Sequence, residues 1–147
     1  MRLLFIAVLA IVLPLATRAA RAADDKGDDA KQLQGTWVID PATYKDEKDP
    51  DVVKQMKAVR IIFDGDTLTV RHPPGNEEKG GFAVDPSKKP KEIDLSDKAK
   101  GIYELDGDTL KLCWDADAKA NGRPTKFAAD RTKDRVTNLV LIREAKK

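Results

Sequence analysis

From Leu33 onward, apolar and polar residues alternate in short runs that are separated by clusters of Gly, Pro and Asp. A period of two places successive side chains on opposite faces of an extended chain, so this pattern predicts β-strands with one buried face. Besides two hairpins, it predicts the following strands: Thr36–Asp40, Gly80–Val84, Lys91–Leu95, Thr125–Ala128 and Thr137–Arg143. We therefore expect an all-β, antiparallel domain.

One short helix is predicted after the first strand. The run Asp49–Asp51 has the sequence Asp-Pro-Asp, in which proline supplies the φ of a first helical turn and the acidic side chains suit its free amides. Val52, Val53 and Met56 then follow at helical spacing. The pattern therefore predicts a helix from about Asp49 to the residue after Met56.

The strongest internal signal is a repeat. Phe63–Val70 (FDGDTLTV) is echoed 42 residues later by Leu105–Leu112 (LDGDTLKL). Asp-Gly between two alternating runs is typical of a β-hairpin, because both residues tolerate the positive φ of a tight turn. The sequence therefore predicts two hairpins, the first with Asp64–Gly65 as a two-residue loop.

That loop predicts the facing of the side chains. It pairs Ile61 with Leu68 and Val59 with Val70, so that apolar residues meet on one face. A loop longer by one residue would place an arginine opposite Leu68. The other face then holds polar side chains: Arg60, Thr69 and Arg71.

The same rule applied to the second hairpin pairs Tyr103 with Leu110 and Gly101 with Leu112. It carries Trp114 onto the inward face. Three side chains are expected to point outward: Glu104, Lys111 and Cys113.

Together these segments suit an up-and-down antiparallel β-barrel of about eight strands, because closure removes the exposed edges of a sheet. A two-sheet sandwich is the alternative architecture. Ile62 and Ile102 break the strict alternation, which indicates that part of the outer surface is covered. We expect the helix at Val52–Met56 to provide that cover.

Met1–Ala22 has the organisation of an export signal. Arg2 gives a basic start, Leu3–Leu15 is an apolar run of 13 residues, and Ala20–Ala22 offers the small residues that signal peptidase recognises. A retained membrane anchor is the alternative, but a bilayer requires ~20 apolar residues. We therefore expect cleavage after Ala22 and an exported protein, either periplasmic or extracellular.

Loss of the signal changes the charge of the chain. Residues 1–22 contain three of the 27 basic residues and none of the 25 acidic ones, so 24 basic residues remain and the formal net charge is about −1. Binding to nucleic acid or to anionic lipid depends on an excess of Lys and Arg, so neither is an expected partner. The charged segment 23–32 is expected to be a disordered leader, followed by one domain over residues 33–147.

The sequence offers little catalytic or metal chemistry. His72, the only histidine, lies in a Pro-Pro-Gly turn composition, and Cys113 is the only cysteine, so no intramolecular disulfide can form. Strand parity places Cys113 outward, either as an accessible thiol or tucked beneath a helix or loop. Zinc requires several His or Cys ligands, and neither Asp-Gly-Asp copy supplies a calcium loop. No phosphate-binding, dinucleotide or serine-hydrolase motif is present. We therefore expect no catalytic residues, metal or cofactor, and a protein that is not an enzyme; a hydrolase is the alternative, although no motif supports it.

Two positions carry a family resemblance. Leu33–Trp37 (LQGTW) resembles the Gly-x-Trp that opens the first strand of lipocalins and related calycins, and Arg143 lies on the last predicted strand, as their barrel-closing arginine does. Together with residues 63–66, 85–95, 101–113 and 123–125, the chain from Leu33 to Glu144 is similar to an uncharacterised lipocalin-like family found chiefly in planctomycete bacteria. The resemblance implies that Arg143 packs across Trp37 at the closed end of a barrel, a contact worth ~0.5–2 kcal/mol. It implies no established activity.

Two functional hypotheses follow from these observations. In the first, the barrel is a binding module for a small apolar or amphipathic molecule, since barrels of about eight strands are either filled by side chains or hold one small ligand. The residues expected to line its site are Phe63, Phe82, Tyr103, Leu110 and Trp114. In the second, the interior is filled and the outer face or the loop Pro86–Lys91 contacts another exported protein or the cell envelope; that loop also fits a merely solubilising turn. Analogy of fold favours ligand binding.

Overall fold

The structure, a computed structural model, describes residues 28–127 and 136–145 of the 147-residue chain. Within these ranges the chain forms one antiparallel sheet of nine strands. The strands are β1 Gly35–Ile39, β2 Arg60–Asp64, β3 Thr67–His72, β4 Asn76–Gly81, β5 Ala83–Asp85, β6 Lys91–Asp94, β7 Lys100–Asp106, β8 Thr109–Asp115 and β9 Val136–Arg143. The prediction of an all-β antiparallel domain is confirmed.

The sheet forms a nearly closed barrel with the strand order β4-β3-β2-β1-β9-β8-β7-β6-β5. Each strand pairs with its neighbour in sequence except β4 with β5, which are the two edges. β1 and β9 pair with each other and join the two halves. A Cβ placed on Gly80 of β4 would lie 3.5 Å from the carbonyl oxygen of Leu95, just after β6, so only a narrow seam remains between these elements. The predicted up-and-down barrel is confirmed, and the sandwich alternative is excluded because the nine strands belong to one sheet.

The single predicted strand Gly80–Val84 is instead divided between β4 and β5. Between them the amide of Phe82 donates to the carbonyl of Asp66 at 2.9 Å, which turns the chain out of the β4 pairing. This division adds one strand to the nine segments that the alternation pattern predicted, and residues 125–127 form no strand, so the described chain again contains nine strands.

The hairpins have two-residue loops, as predicted, but each loop begins one residue later. The first loop is Gly65–Asp66, and Phe63 pairs with Leu68. Gly65 has a φ of +62° whereas the following aspartate does not have a positive φ, the arrangement of a type II′ turn with glycine first. The second hairpin repeats this with Gly107 at a φ of +57°.

The corrected register leaves the facing unchanged. Ile61 pairs with Val70 rather than Leu68, and Tyr103 pairs with Leu112 rather than Leu110. A shift of two residues in pairing preserves parity, because side chains alternate with a period of two. The predicted inward residues Ile61, Leu68, Leu110 and Leu112 are accordingly buried.

Four short helical segments accompany the strands in the described ranges. Residues 28–33 form α1, Pro41–Tyr44 form a 3-10 turn, α2 spans Pro50–Ala58 and α3 spans Ala118–Asn121. The predicted helix is therefore confirmed as α2, and the side chain of Asp49 caps it by accepting from the amides of Asp51 and Val52. In the part of the chain described here, every helix is too short or too polar to cross a bilayer.

The cover over the outer face comes from a different element than expected. α2 packs against β1 and the 3-10 turn, with Val53 and Met56 on the core. The buried outer-face residues Ile102 and Cys113, which pair in register, lie instead where the chain after α3 crosses. There the Cys113 Sγ contacts the carbonyl of Lys126 at 3.8 Å. For Ile102, the assignment of this cover to Val52–Met56 was therefore wrong.

This crossing also replaces a predicted strand. Of Thr125–Ala128, the first three residues are not extended into the sheet, and Ala128 lies outside the described residues. The crossing chain is fixed instead by side-chain bonds, since Arg123 Nη1 donates to the carbonyls of Ile93 at 2.9 Å and Gly101 at 2.7 Å.

The predicted signal 1–22 lies outside the described residues, as does the first half of the predicted leader, 23–27. Residues 28–32 belong to α1 and are not disordered, contrary to expectation. Composition indicated a solvated segment because it contains few apolar side chains. Composition could not reveal that the carboxylate of Asp29 is buried and bonded to barrel side chains.

Candidate functional site

One end of the barrel is closed around Trp37 and Arg143, which are paired in register on β1 and β9. The Arg143 Cζ lies 4.3 Å from the centroid of the Trp37 ring, so the contact that the family resemblance implied is present. The guanidinium also donates to the carbonyls of Gln34 at 2.7 Å and Gln32 at 2.6 Å, and to the carboxylate of Asp108 at 2.8 Å. Arg143 therefore joins α1, the second hairpin turn and β1 at one point.

α1 packs against this pair and completes the closure of this end of the barrel. Leu33 is fully buried, and its carbonyl accepts from the Trp37 Nε1 at 2.8 Å. Asp29 accepts from the Tyr103 hydroxyl at 2.6 Å and from the Lys91 Nζ at 2.8 Å. Burial, together with the neighbouring Asp29 carboxylate, raises the pKa of the Tyr103 hydroxyl well above its usual value. Tyr103 therefore keeps its proton and remains the donor that holds α1 in place.

The opposite end of the barrel contains a cavity of about 620 Å³. It lies between the ends of β1, β3 and β8 and the beginnings of β2 and β9. Aliphatic side chains and one indole form most of its wall: Ile39, Val59, Ile61, Leu68, Val70, Leu95, Leu112, Trp114 and Leu139. We call this the open-end cavity. A wall of this kind favours apolar molecules because their transfer from water is favourable.

Polar and charged side chains occur at the mouth of the open-end cavity, along β3 and β4. His72, Glu78 and Lys79 contribute to the lining. The Lys79 Nζ lies 2.9 Å from one oxygen of Glu77, whose other oxygen accepts from the Arg71 Nε at 2.7 Å. Hydrogen bonds from Lys79 and Arg71 lower the pKa of Glu77. Lys79 is therefore held in an ion-pair cluster with Glu77 and Arg71.

A second hollow, of about 590 Å³, lies along the seam and has a polar wall. Among its charged side chains, Asp94 has two cationic partners: its carboxylate accepts from Arg123 at 2.6 Å and from Lys100 at 3.2 Å. Burial opposes ionisation here, but these two cations outweigh it and lower the pKa of Asp94. The carboxylate therefore binds the segment after α3, through Arg123, to β6. Because Asp94 is already paired in this way, the open-end cavity is the better candidate site.

The residues expected to line a ligand site lie in different places. Trp114 lines the open-end cavity. Phe63, Tyr103 and Leu110 are packed in the closed half of the barrel, each at most 2 % exposed. Phe82 stands at the seam, edge-on to Phe63 with ring centroids 4.8 Å apart. The structure therefore brings only Trp114 of the five to the cavity.

Most of the cavity wall was not among the predicted site residues, including Ile39, Ile61, Val70 and Leu139. All four occupy strands that the alternation pattern identified, and Val70 had been assigned to the inward face. They could have been selected by their position along each strand, because inward residues far from Trp37 and the closed end line the cavity. The half of the barrel that holds the cavity has fewer bulky aromatic side chains to fill it.

Cys113 and His72 are not brought together. Cys113 is fully buried on the outer face of β8, beneath the segment that follows α3, whereas His72 is exposed at the cavity mouth. The tucked position of Cys113 matches the second of the two alternatives that the sequence left open. Over residues 28–127 and 136–145, no group of three or more His, Cys, Asp or Glu side chains is placed to hold a metal ion.

Burial raises the pKa of the Cys113 thiol, so we expect it to be unreactive in the folded protein. N-ethylmaleimide at neutral pH should modify native Cys113 at least about 100-fold more slowly than the unfolded chain, as measured by mass spectrometry. The variant Cys113→Ser with Lys119→Cys, which moves the thiol to an exposed position on α3, is the matched control. Equal labelling rates for the native wild type and this control would contradict the buried position.

Three comparisons with known proteins, a scan against family models, a search of curated proteins and a search of solved structures, each returned no match.

Proposed function

We propose that this chain is an exported, lipocalin-like binding module whose open-end cavity takes up one small apolar or amphipathic molecule. The single observation that carries the proposal is the cavity itself, which occupies one end of a barrel whose other end is closed by Trp37, Arg143 and α1. The export pattern of Met1–Ala22 supports the location.

The dimensions of the cavity suit this role. Small-molecule sites commonly enclose ~300–1,000 Å³ and combine an apolar wall with a few polar groups. The open-end cavity has about 620 Å³, and its polar groups lie at the mouth. A ligand with an apolar body would therefore displace water from the Trp114 and Leu139 wall while any polar part remained at the surface.

The alternative function, a filled barrel that contacts another exported protein, fits only half of the molecule. The closed half is filled by side chains such as Phe63 and Tyr103, but the other half holds the cavity. Part of the loop proposed for such contacts is already engaged, since Lys91 is bonded to Asp29 of α1. Both observations favour ligand binding over a contact role.

The test blocks the cavity with a larger side chain. Val70 lines the cavity from β3, and Val70→Trp should lower the affinity for the neutral apolar fluorophore N-phenyl-1-naphthylamine about tenfold or more, because an indole fills much of the space. Fluorescence titration would measure affinity and stoichiometry, with one site per chain expected in the wild type. Native mass spectrometry of protein purified from its own host should show a retained small molecule.

The matched control is Arg71→Trp, which introduces the same side chain at the next position but on the exposed outer face. It should bind the fluorophore as the wild type does, and thermal unfolding should show that both variants are folded. Wild-type protein that binds no fluorophore, or binding that survives in Val70→Trp, would refute the proposed site.

A further inference from the structure

The register of β3 and β4 decides which charged side chains at the mouth face inward. Val70 faces the cavity, and Glu78 is its partner across the strands, so Glu78 lies on the inward face of β4. Its neighbours in sequence, Glu77 and Lys79, pair with Arg71 and Thr69, so strand parity places them on the outward face, from which the Lys79 side chain reaches the rim of the cavity. Glu78 is therefore the acidic side chain that β4 directs towards the apolar wall.

The bonding at the mouth leaves Glu78 free to meet a ligand. Glu77 holds Arg71 and Lys79 on the outer face, at 2.7 and 2.9 Å. That cluster carries one excess positive charge, but its cations are more than half exposed, and solvent screens exposed charges strongly. Glu78 makes no ion pair or side-chain hydrogen bond with any residue in the ranges 28–127 and 136–145.

We infer that the ligand of the open-end cavity is a hydrophobic cation: an apolar body that carries a protonated amine or a quaternary ammonium group, which Glu78 binds at the mouth. This inference rests on the proposed function and adds the charge of the ligand to it. The apolar body lies against the Trp114 wall, and the cationic group stays at the rim where it remains partly hydrated. An unpaired carboxylate at that rim disfavours a carboxylate or phosphate headgroup by like-charge repulsion.

The experiment compares three probes with the same ten-carbon chain and different headgroups: decylamine, decanol and decanoate. Isothermal titration calorimetry or intrinsic tryptophan fluorescence, below the concentrations at which the probes form micelles, should show decylamine binding about three- to tenfold more tightly than decanol. Decanoate should bind more weakly than decanol. Glu78→Gln should remove the advantage of decylamine over decanol.

Glu77→Gln is the matched control, because it makes the same change in net charge one residue away on the opposite face. It should retain the preference for decylamine. Since both positions are exposed, neither variant is expected to affect folding. Glu78→Lys should reverse the order and favour decanoate over decylamine.

The outcomes separate the two proposals. Equal binding of the three probes, all blocked by Val70→Trp, would overturn the cationic ligand and leave the binding function standing. A wild-type preference for decanoate would overturn it in favour of an anionic ligand. An equal loss of decylamine affinity in Glu77→Gln and Glu78→Gln would show a general charge effect and would also overturn it. Absence of binding by every probe, including N-phenyl-1-naphthylamine, would remove the binding function itself.

Discussion

Replacing Trp37 with alanine will lower the free energy of unfolding by about 3–5 kcal/mol, the cost typical of removing a large aromatic side chain from a packed core. The indole is fully buried, it supports the Arg143 guanidinium on its face, and its Nε1 donates to the carbonyl of Leu33. Its loss leaves a cavity at the closed end and removes the hydrogen bond that joins Trp37 to α1. Chemical denaturation followed by circular dichroism would measure the change, and the melting temperature should fall by roughly 10 °C or more.

A graded control tests whether Arg143 shares this role. Arg143→Lys keeps the charge but cannot reach Gln34, Gln32 and Asp108 together, because an ammonium lacks the planar fork of a guanidinium. It should cost about 1–2 kcal/mol, less than Trp37→Ala. Unchanged melting temperatures for both variants would show that this contact does not close the barrel.

Gly101→Ala will destabilise the protein by about 2–3 kcal/mol, although it adds a single methyl group. Gly101 is buried on β7 opposite Trp114, and a Cβ there would lie 2.3 Å from the carbonyl oxygen of Cys113 and 2.8 Å from the Trp114 Cβ. These are backbone and near-backbone atoms of β8, so the strands must separate to admit the methyl group. Urea unfolding would show a lower midpoint.

Gly81→Ala is the comparison for this prediction. Gly81 is exposed at the end of β4, and the nearest atom to an added Cβ, the carbonyl oxygen of Asp66, lies at an ordinary distance of 3.8 Å. The change should alter stability by no more than about 0.5 kcal/mol. If both variants unfold at the same denaturant concentration, then the close approach of β7 and β8 at Gly101 does not limit packing.

Parity explains why the sequence predicted the barrel well. The loop of the first hairpin begins at Gly65 rather than Asp64, yet Ile61 and Leu68 face inward as expected. An error of one residue in the loop shifts the pairing by two, and side-chain direction repeats every two residues. Alternation alone could not place the loop, because the choice depends on which residue adopts the positive φ, here Gly65.

The candidate site was harder to predict because it depends on contacts between distant parts of the chain. Local alternation identifies inward residues but not which half of the barrel they occupy. The position of α1 determines which half is filled. Its Asp29 accepts a hydrogen bond from Tyr103, 74 residues away in sequence, and Tyr103 therefore lies in the filled half. Glu78 was overlooked for a similar reason, since its facing follows from pairing with Val70 across a turn that contains two prolines.

The position of α1 determines where a label can be attached without obstructing the cavity mouth. Residues 28–33 pack beside Trp37 and Arg143, so the polypeptide enters the barrel at the pole farthest from the cavity mouth. A label attached at the exposed Asp28 would therefore lie at the closed end of the barrel. The mouth would then point away from the attachment and stay accessible to molecules arriving from solution.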